Sequence, residues 1–495
     1  MFVFKLRLSG FLGGQVNVTH NSVDRHVRDI VRHVDCPQWI WHVAEPAEVL
    51  EDPARRSCLV LDREAVDREA GTLGRWLRKQ RVGVLHVHSL TRAARARAAS
   101  LAAPSALPFV ATLHDVLFLR PDALNPGTGL EPDRAWLAET APFLRSARAV
   151  LAPSEFIAEL ARRHVPGLEV SVVPNGSPPR ETGAPPVAAR PEFATRGFDQ
   201  VAVVLGAIGP HKGSAVLDEM DAALAGTSIA IVVIGYLDAQ VTAGWRNGRV
   251  FVHGAYQDRD VPALVRAYGA RVALFPNRVP ESFSYALSDL WDAGLPALVP
   301  DEGALAGRVR SDGGGWILPA GAGALEIAAA LKRLLGPGGE AERSRVESQL
   351  LRADRVPRLE AMSRSLSALY ERYGIDPGPP VDAADEKLQS LLAVNLDGAL
   401  FRVELARLAD ELVQVREGLE AERALARRFE TESRAWIAKL EGDVAGLQAE
   451  LAREVEARRA FAEENAKLAD TRDAFERLPA LLRRVLLKKI RDARS

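Results

Sequence analysis

The sequence predicts two α/β domains followed by a long α-helical extension. Short apolar segments alternate with helical stretches over residues 1–173 and again over 199–355. This alternation is typical of parallel sheets covered by helices on both faces. Over residues 386–476 the composition shifts to alanine, glutamate, arginine and leucine without proline, and leucines recur in steps of three and four. These three observations divide the chain into two sheet-based domains and a helical segment.

The first domain, residues 1–173, contains four strand candidates and four helix candidates. The strand candidates are 16–19, 82–88, 109–114 and 149–152. The helix candidates are 23–34, 65–79, 133–145 and 154–164. Ser154 stands where an N-cap is expected, and Glu155 follows in the first turn, where an acid suits the helix dipole.

Breaks in composition delimit the remaining segments. Residues 174–198 are rich in proline, glycine and arginine and are predicted to be a linker. A helix over 356–375 follows the second domain. The linker 376–385, which contains Pro377-Gly378-Pro379-Pro380, separates that helix from the extension 386–476 and from a basic tail, 477–495.

The helical extension is predicted to be a coiled coil. Its apolar positions change phase near Leu440, which indicates a stutter or a break. Asn465 falls at an a position, where a buried amide can fix the register at some cost in stability. Glu454 and Arg458 weaken the apolar run. A parallel homodimer, a single long helix and an intramolecular hairpin all remain compatible with this pattern.

The tail, residues 481–491, is short, basic and amphipathic. A helix of this kind can rest on anionic lipid, where each lysine or arginine near the surface contributes about 1 kcal/mol. A solvated helix end with an apolar side that faces a protein partner fits equally well.

Composition excludes several classes of protein. The formal net charge of −1 over 495 residues argues against nucleic-acid binding by the whole chain. Cys36 and Cys58 are the only cysteines, too few for a disulfide framework or a cysteine metal cluster. No apolar run reaches the roughly 18 residues of a transmembrane helix, and the first residues do not resemble a signal peptide. We therefore expect a cytoplasmic protein.

The segment around Glu281 is the most informative part of the sequence. An apolar strand, 271–276, precedes Glu281, which falls in the loop at the strand's carboxyl end. Ser282 and Ser284 are predicted to cap the following helix, whose first N–H groups would then point into a crevice. Asp289 lies in that helix on roughly the same face. Two acids and a helix N-terminus suit a ligand with hydroxyls at one end and phosphate at the other.

A second segment carries the chemistry of an anion site. The apolar strand 201–208 runs into Gly209, His211 and Lys212, and a helix begins near Ser214. Backbone N–H groups exposed by glycine and by a helix N-terminus bind anions, and Lys212 adds a full positive charge. We therefore predict a phosphate-binding turn at this position.

Together these segments resemble the retaining, nucleotide-sugar-dependent glycosyltransferases of the GT-B fold, family 4. The first matches that family's Glu-x7-Glu signature, with Asp289 in place of the second glutamate. The second matches its Gly-Arg-Leu…Lys-Gly loop, with Ala207 in place of the arginine. The resemblance implies two Rossmann-like domains that face each other across a cleft, with the acceptor on the first and the nucleotide sugar on the second.

The resemblance also implies roles for individual residues. Glu281 would contact the hydroxyls of the donor sugar, and Asp289 would contact the nucleotide ribose. The diphosphate would be bound by Lys212, Gly209 and His211 and by the backbone amides of Ser282, Phe283 and Ser284. The donor is a substrate, so no cofactor is expected.

Histidines of the first domain are further candidates. Thr112-Leu113-His114-Asp115 ends a predicted strand and resembles a Leu-His-Asp element of the family, whose histidine lies by the sugar and phosphate. His114 is therefore predicted to donate a hydrogen bond to the sugar or the leaving phosphate. His88, at a strand end, is the better cleft candidate of its pair, whereas His86 is expected in the core.

Two further segments resemble known glycosyltransferase motifs only in part. Asp24-Arg25-His26-Val27 matches the end of a family motif, but the glycines that should precede it are missing; Gly13-Gly14 occur before the predicted strand 16–19. Asp258-Arg259-Asp260 resembles the Asp-x-Asp metal site of another glycosyltransferase fold. We instead predict that Asp260 caps a helix, with Pro262 in its first turn. No metal is therefore expected.

The sequence thus predicts a retaining, metal-independent hexosyltransferase that acts on a bacterial surface polysaccharide or glycolipid. A sugar-nucleotide epimerase or a phosphorylase would share the fold, but neither has a convincing match. The alternative of a different class is a non-catalytic scaffold that assembles a glycan-synthesis complex through its coiled coil. Ala207, Asp289 and the missing glycine loop favour the scaffold, while Glu281 and Lys212 favour the enzyme.

Overall fold

The computed structural model describes most of the chain in two compact units. The described residues are 2–4, 22–36, 38–42, 47–52, 57–62, 66, 68, 70–79, 82–88, 90–105, 107–179, 186–194, 196–238, 240–352, 355–374 and 441–492. Those up to residue 374 belong to the first unit, and those from 441 onward belong to the second. The predicted strand 16–19, the glycines Gly13-Gly14 and the first part of the predicted coiled coil, 386–440, lie outside these ranges.

An eight-stranded sheet forms the N-terminal domain. Its order is β4-β3-β2-β1-β5-β6-β7-β8. Strands β1, β2 and β5 to β8 are parallel, and β2, β3 and β4 form antiparallel pairs. The strands are β1 Phe2–Phe4, β2 Ile40–His42, β3 Ala47–Asp52, β4 Ser57–Asp62, β5 Leu85–Val87, β6 Phe109–Thr112, β7 Ala149–Ala152 and β8 Val170–Val172. The strand β1 was not among the strands predicted from the sequence.

Five helices of this domain are described: α1 Ser22–His33, α2 Ala70–Lys79, α3 Arg92–Ser105, α4 Arg134–Ser146 and α5 Glu155–His164. Their apolar faces pack on the sheet around fully buried side chains such as Trp41, Leu85 and Phe118. Ser154 caps α5 as predicted, because its hydroxyl accepts a hydrogen bond from the amide of Ile157.

A seven-stranded sheet forms the second domain, in the order β11-β12-β10-β9-β13-β14-β15. All pairs are parallel except β11 with β12. The strands are β9 Gln200–Ile208, β10 Ile229–Leu237, β11 Gly244–Trp245, β12 Val250–Val252, β13 Ala270–Leu274, β14 Ala297–Pro300 and β15 Gly315–Leu318. The chain reverses its winding between the neighbours β9 and β13. In such sheets, ligands bind at that point, outside the carboxyl ends of the strands.

Helices cover both faces of the second sheet. They are α6 Pro191–Ala194, α7 Ser214–Ala223, α8 Val261–Ala267, α9 Tyr285–Asp292, α10 Gly303–Asp312, α11 Ala324–Leu335 and α12 Glu340–Arg352. Two apolar clusters, one on each face, form the core of the domain. Near-continuous apolar strands such as β10 are expected for a sheet buried on both sides.

The helix α13, Leu359–Tyr373, packs against the N-terminal domain. Leu359, Met362 and Leu366 share a buried cluster with Val27 and Ile30 of α1.

The second unit is helical. Residues 441–476 form α14 and Ala480–Asp492 form α15. Within α14 the apolar side chains of Val444, Leu447 and Leu451 are more than half exposed. The coiled coil therefore stays a prediction. None of the described helices is long and apolar enough to cross a membrane.

Candidate active site

Lys212 and Glu281 meet at the point where the second sheet reverses its winding. Lys212 follows β9 and Glu281 follows β13, and these strands are neighbours. The ammonium of Lys212 lies 3.5 Å from a carboxylate oxygen of Glu281. The side-chain amide of Asn277 donates to the same oxygen at 3.1 Å. Both charged side chains keep some exposure, 30% for Lys212 and 19% for Glu281, so a ligand can reach them.

The turn after β9 is tightly packed on the strand end of β13. It runs from Gly209 through a short 3₁₀ turn, Pro210–Lys212, into α7. The carbonyl of His211 accepts from the amides of Arg278 and Val279. Gly213 has φ +84°, and a Cβ there would lie 2.0 Å from the carbonyl oxygen of Pro276. Only glycine allows this approach, which brings Lys212 beside the loop of Glu281.

The loop Glu281–Ser284 (the signature loop) crosses between the domains. Ser284 caps α9, since its hydroxyl accepts from the amide of Leu287. Ser282 does not cap, contrary to the prediction: its hydroxyl donates to the carbonyl of His114 at 2.5 Å. The hydroxyl of Ser154 in turn donates to the carbonyl of Ser282 at 2.6 Å. Two hydrogen bonds thus join this loop to the N-terminal domain.

Asp289 lies in α9 as predicted, but it has a partner that the sequence did not indicate. Both its carboxylate oxygens accept from the guanidinium of Arg25, at 2.7 and 2.9 Å. The two side chains are only 12% and 13% exposed, and Arg25 also lies 4.2 Å from the ring centre of Tyr285. Burial opposes the charge of Arg25, but the hydrogen bond and charge of Asp289 outweigh it and raise the pKa of Arg25. Each carboxylate oxygen can accept a further hydrogen bond, so the ribose contact stays a prediction.

Four histidines cluster at the carboxyl edge of the N-terminal sheet. His88 Nδ1 and His114 Nε2 are 2.9 Å apart, and His26 stacks edge-on against both rings. His86 lies in the core as expected, hydrogen-bonded to Thr112 and to the hydroxyl of Tyr370 on α13. Burial lowers the pKa of His26 to about 3 and holds the pKa values of His86, His88 and His114 well below 6.5. All four are therefore neutral at pH 7.

Two observations bear on metals. Asp260 occupies the N-cap position of α8, with Pro262 in the first turn, but its side chain makes no capping hydrogen bond. This part of the prediction is wrong. Within the described residues, His26, His88 and His114 place one ligand atom each within 4.8 Å of one another. Neutral imidazoles suit zinc, although two of these nitrogens already form a mutual hydrogen bond.

The predicted site residues come from both domains. Lys212, Glu281 and the signature loop come together in the second domain. His114 approaches that loop from the other domain through its carbonyl. The ring of Phe283 is buried against Arg308, so only its backbone amide is available to a ligand.

Sequence reasoning missed Asn277 and Arg308, and it quoted Arg25 only as part of a motif. The motif Asp24-Arg25-His26-Val27 was the signal in the sequence that included Arg25, and it did not indicate the pairing with Asp289.

The fold and this site define a class of protein. Two doubly wound domains are the arrangement of the GT-B fold, and a lysine, an acid and a helix N-terminus lie at the winding reversal of the second, where the resemblance inferred from the sequence predicts the donor site.

Comparison with known proteins agrees with this class. Residues 12–180 match the family model described as Glycosyltransferase Family 4. This match confirms the resemblance inferred from the sequence, and it lies in the N-terminal domain, where the sequence motifs were weakest. A search by sequence among curated proteins returned no match.

Solved structures show the same fold. HepE from Anabaena, crystallised with UDP and glucose, is similar with a TM-score of 0.52 at 14% identity, over 75% of this chain and 98% of HepE. Sucrose-phosphate synthase from Thermosynechococcus elongatus has a TM-score of 0.52 at 16% identity, with the same coverage. The fold is therefore GT-B, and the family match and the fold together support a glycosyltransferase.

Proposed function

We propose that the protein is a retaining glycosyltransferase that transfers a sugar from a nucleoside-diphosphate sugar to a bacterial surface polysaccharide or glycolipid. The observation that carries this proposal is the pair Lys212 and Glu281, 3.5 Å apart beside the signature loop. A cation, an acid and backbone amides at one strand edge match the diphosphate and the hydroxyls of such a donor.

In the proposed reaction, the bond between the anomeric carbon and the diphosphate oxygen breaks. The acceptor hydroxyl forms its new bond on the same face and gives its proton to the leaving diphosphate. Glu281 positions the donor hydroxyls, and Lys212 with the loop amides stabilises the growing diphosphate charge without a metal. Electrostatic stabilisation of this kind is usually the largest catalytic contribution. Neutral His114 donates a hydrogen bond to the sugar or phosphate and need not give up a proton.

Binding of nucleoside diphosphates tests the proposal directly. We expect one of UDP, GDP or ADP, or its sugar, to bind saturably and to raise the melting temperature. UDP is the first choice because HepE was crystallised with it. Lys212→Ala should weaken that binding about tenfold or more, since it removes a charge-assisted contact. Calorimetry measures both proteins.

Lys332→Ala is the matched control for this experiment. Lys332 is exposed in the same domain, and its ammonium donates a hydrogen bond to the carbonyl of Ala223. Its replacement should leave binding unchanged. Binding that survives in Lys212→Ala as strongly as in the wild type would contradict the assigned site.

The alternative function is a non-catalytic scaffold. It is favoured by Ala207, which replaces the expected arginine, and by Arg25, which already occupies both oxygens of Asp289. A folded wild-type protein that binds no member of the nucleotide panel would establish this alternative over the enzyme.

We further propose that the helical unit forms a homodimer through α14 and touches anionic lipid through α15. The apolar stripe of α14 is exposed, and α15 carries five basic residues with exposed leucines. Light scattering should give the mass of a dimer, and the protein should co-sediment with anionic but not with neutral vesicles. A monomer that co-sediments with neither vesicle type would refute both the homodimer and the contact with lipid.

A further inference from the structure

Every backbone carbonyl of the signature loop is held by a hydrogen bond. The carbonyl of Glu281 accepts from the amide of Ala304 at 2.8 Å, and that of Ser282 accepts from Ser154 at 2.6 Å. The carbonyls of Phe283 and Ser284 both accept from Arg308, at 3.1 and 3.0 Å. Three of these four carbonyls are bound by residues of the helix α10, Ala304 and Arg308, and the fourth is bound by Ser154.

The amide side of the same loop has no such partners. Within the described part of the chain, the N–H groups of Ser282, Phe283, Ser284 and Tyr285 make no hydrogen bond. In a trans peptide the N–H points opposite to the carbonyl of the preceding residue. The N–H groups of Ser282, Ser284 and Tyr285 therefore point away from α10. Unpaired amides on one side are what an anion site presents.

This orientation depends on an unusual backbone conformation. Ser284 has φ +71° and ψ +92°, and it is one of two non-glycine residues with positive φ among those described. A serine in this region costs on the order of 1–3 kcal/mol and persists only where its surroundings hold it. The two peptide groups that flank Ser284 are those whose carbonyls Arg308 binds.

Arg308 is well suited to hold them. One guanidinium nitrogen bonds both carbonyls, and another donates to the buried hydroxyl of Ser288 at 2.9 Å. The guanidinium also lies 4.6 Å from the ring centre of Phe283 and 5.0 Å from that of Trp291. No carboxylate forms an ion pair with it in the described part of the chain. Arg308 therefore donates its hydrogen bonds to the signature loop and to Ser288 of the helix that follows the loop.

We propose that Arg308 is a positioning residue that holds the loop amides in place for the diphosphate of the donor. It acts through the backbone around Ser284 and does not touch the ligand. This inference rests on the proposed function, because it assumes that the amides face a diphosphate.

Arg308→Lys tests the inference, because it keeps the positive charge but loses the planar fork and the stacking. The probes are inorganic diphosphate and UDP, GDP or ADP, titrated by calorimetry into the full-length protein. We expect binding to weaken about tenfold, as a lost charge-assisted contact would predict. Hydrogen–deuterium exchange should rise in the segment 281–287.

Two further variants separate positioning from general stability. Arg310→Lys is the matched control, because Arg310 lies on the same helix, is exposed and pairs with Asp301. It should bind as the wild type does. Ser284→Gly, added to Arg308→Lys, should restore part of the affinity, because glycine adopts positive φ without strain. A merely structural role for Arg308 predicts no such rescue.

Each outcome is decisive. Wild-type affinity in Arg308→Lys, or weakened affinity that Ser284→Gly does not improve, overturns the inference and leaves the proposed function standing. A wild type that binds neither diphosphate nor any nucleotide overturns both. If Arg308→Lys does not fold, Ser288→Ala tests the inference instead. This variant removes one hydrogen bond of Arg308 and should weaken diphosphate binding about threefold. Unchanged affinity would overturn the inference.

Discussion

Replacing Glu281 by alanine is expected to abolish sugar transfer while the fold remains intact. Its carboxylate lies 3.1 Å from the amide nitrogen of Asn277 and 3.5 Å from the ammonium of Lys212, and we propose that it binds hydroxyls of the donor sugar. Removing one such group typically costs about 10²–10³-fold in turnover. The side chain of Glu281 is 19% exposed and adds no apolar group to the core clusters of the domain, so the melting temperature should change little. The measurement is donor consumption, once the binding panel has identified the donor.

Two variants sharpen this test. Glu281→Gln keeps the shape and removes the charge, so it should retain donor binding better than alanine but still lose most turnover. Glu219→Ala is the control, because Glu219 is an exposed acid on α7 of the same domain. Near-normal turnover by Glu281→Ala would show that the assignment of Glu281 is wrong.

The free energy of unfolding is expected to fall steeply as the pH drops below 6.5. The buried histidines stay neutral in the folded protein because burial lowers the pKa of His26 to about 3 and holds the pKa values of His86, His88 and His114 well below 6.5. In the unfolded chain each binds a proton near pH 6.5. Stability is therefore complete above pH 6.5 and is lost as the pH falls toward 3, by up to about 1.4 kcal/mol per pH unit for each histidine.

Asp115 contributes with the opposite sign. Burial raises the pKa of Asp115 to about 6, so the folded protein holds its proton more tightly than the unfolded chain does. Its contribution is present at low pH and is lost as the pH rises from about 4 to 6. Burial also raises the pKa values of Asp29 and Asp289, but the four histidines outnumber these three carboxyls, so the net trend remains a loss of stability in acid.

Urea unfolding between pH 7 and pH 5 measures this dependence. His26→Gln should reduce the slope of stability against pH, whatever it does to the absolute stability. His33→Gln, at an exposed position of the same helix, should leave the slope as it is. Identical slopes for the wild type and His26→Gln would contradict the explanation.

The local features of the site could be predicted because neighbouring residues determine them. The apolar run of β9, the glycines after it and the cap at Ser284 are set by hydrophobic periodicity and backbone preference over a few residues. The order of the motifs along the chain then indicated which strand ends would carry the chemistry. The antiparallel strands β3 and β4 and the helix α3 were not predicted, since their segments lack a clear period or are dominated by alanine and arginine.

The pairing of residues distant in the sequence could not be predicted. Lys212 meets Glu281 only because β9 and β13 are neighbours in the sheet, which depends on how the strands are ordered. The bond of Ser282 to His114 required the relative placement of two domains. Capping was misjudged at Ser282, since the N-cap is Ser284 and the hydroxyl of Ser282 instead bonds to the other domain, and at Asp260, whose side chain makes no capping bond.

The sequence by itself determined the two α/β domains, the helical extension, the glycine-bounded turn at Lys212 and the loop position of Glu281. Periodicity, glycine and capping act within short segments and leave their trace in neighbouring residues. Only the tertiary structure decided that Arg25 pairs with Asp289, that four histidines share one edge and that Arg308 holds the signature loop. Those contacts join residues on separate elements, and packing brings them together without any local pattern that marks the partner.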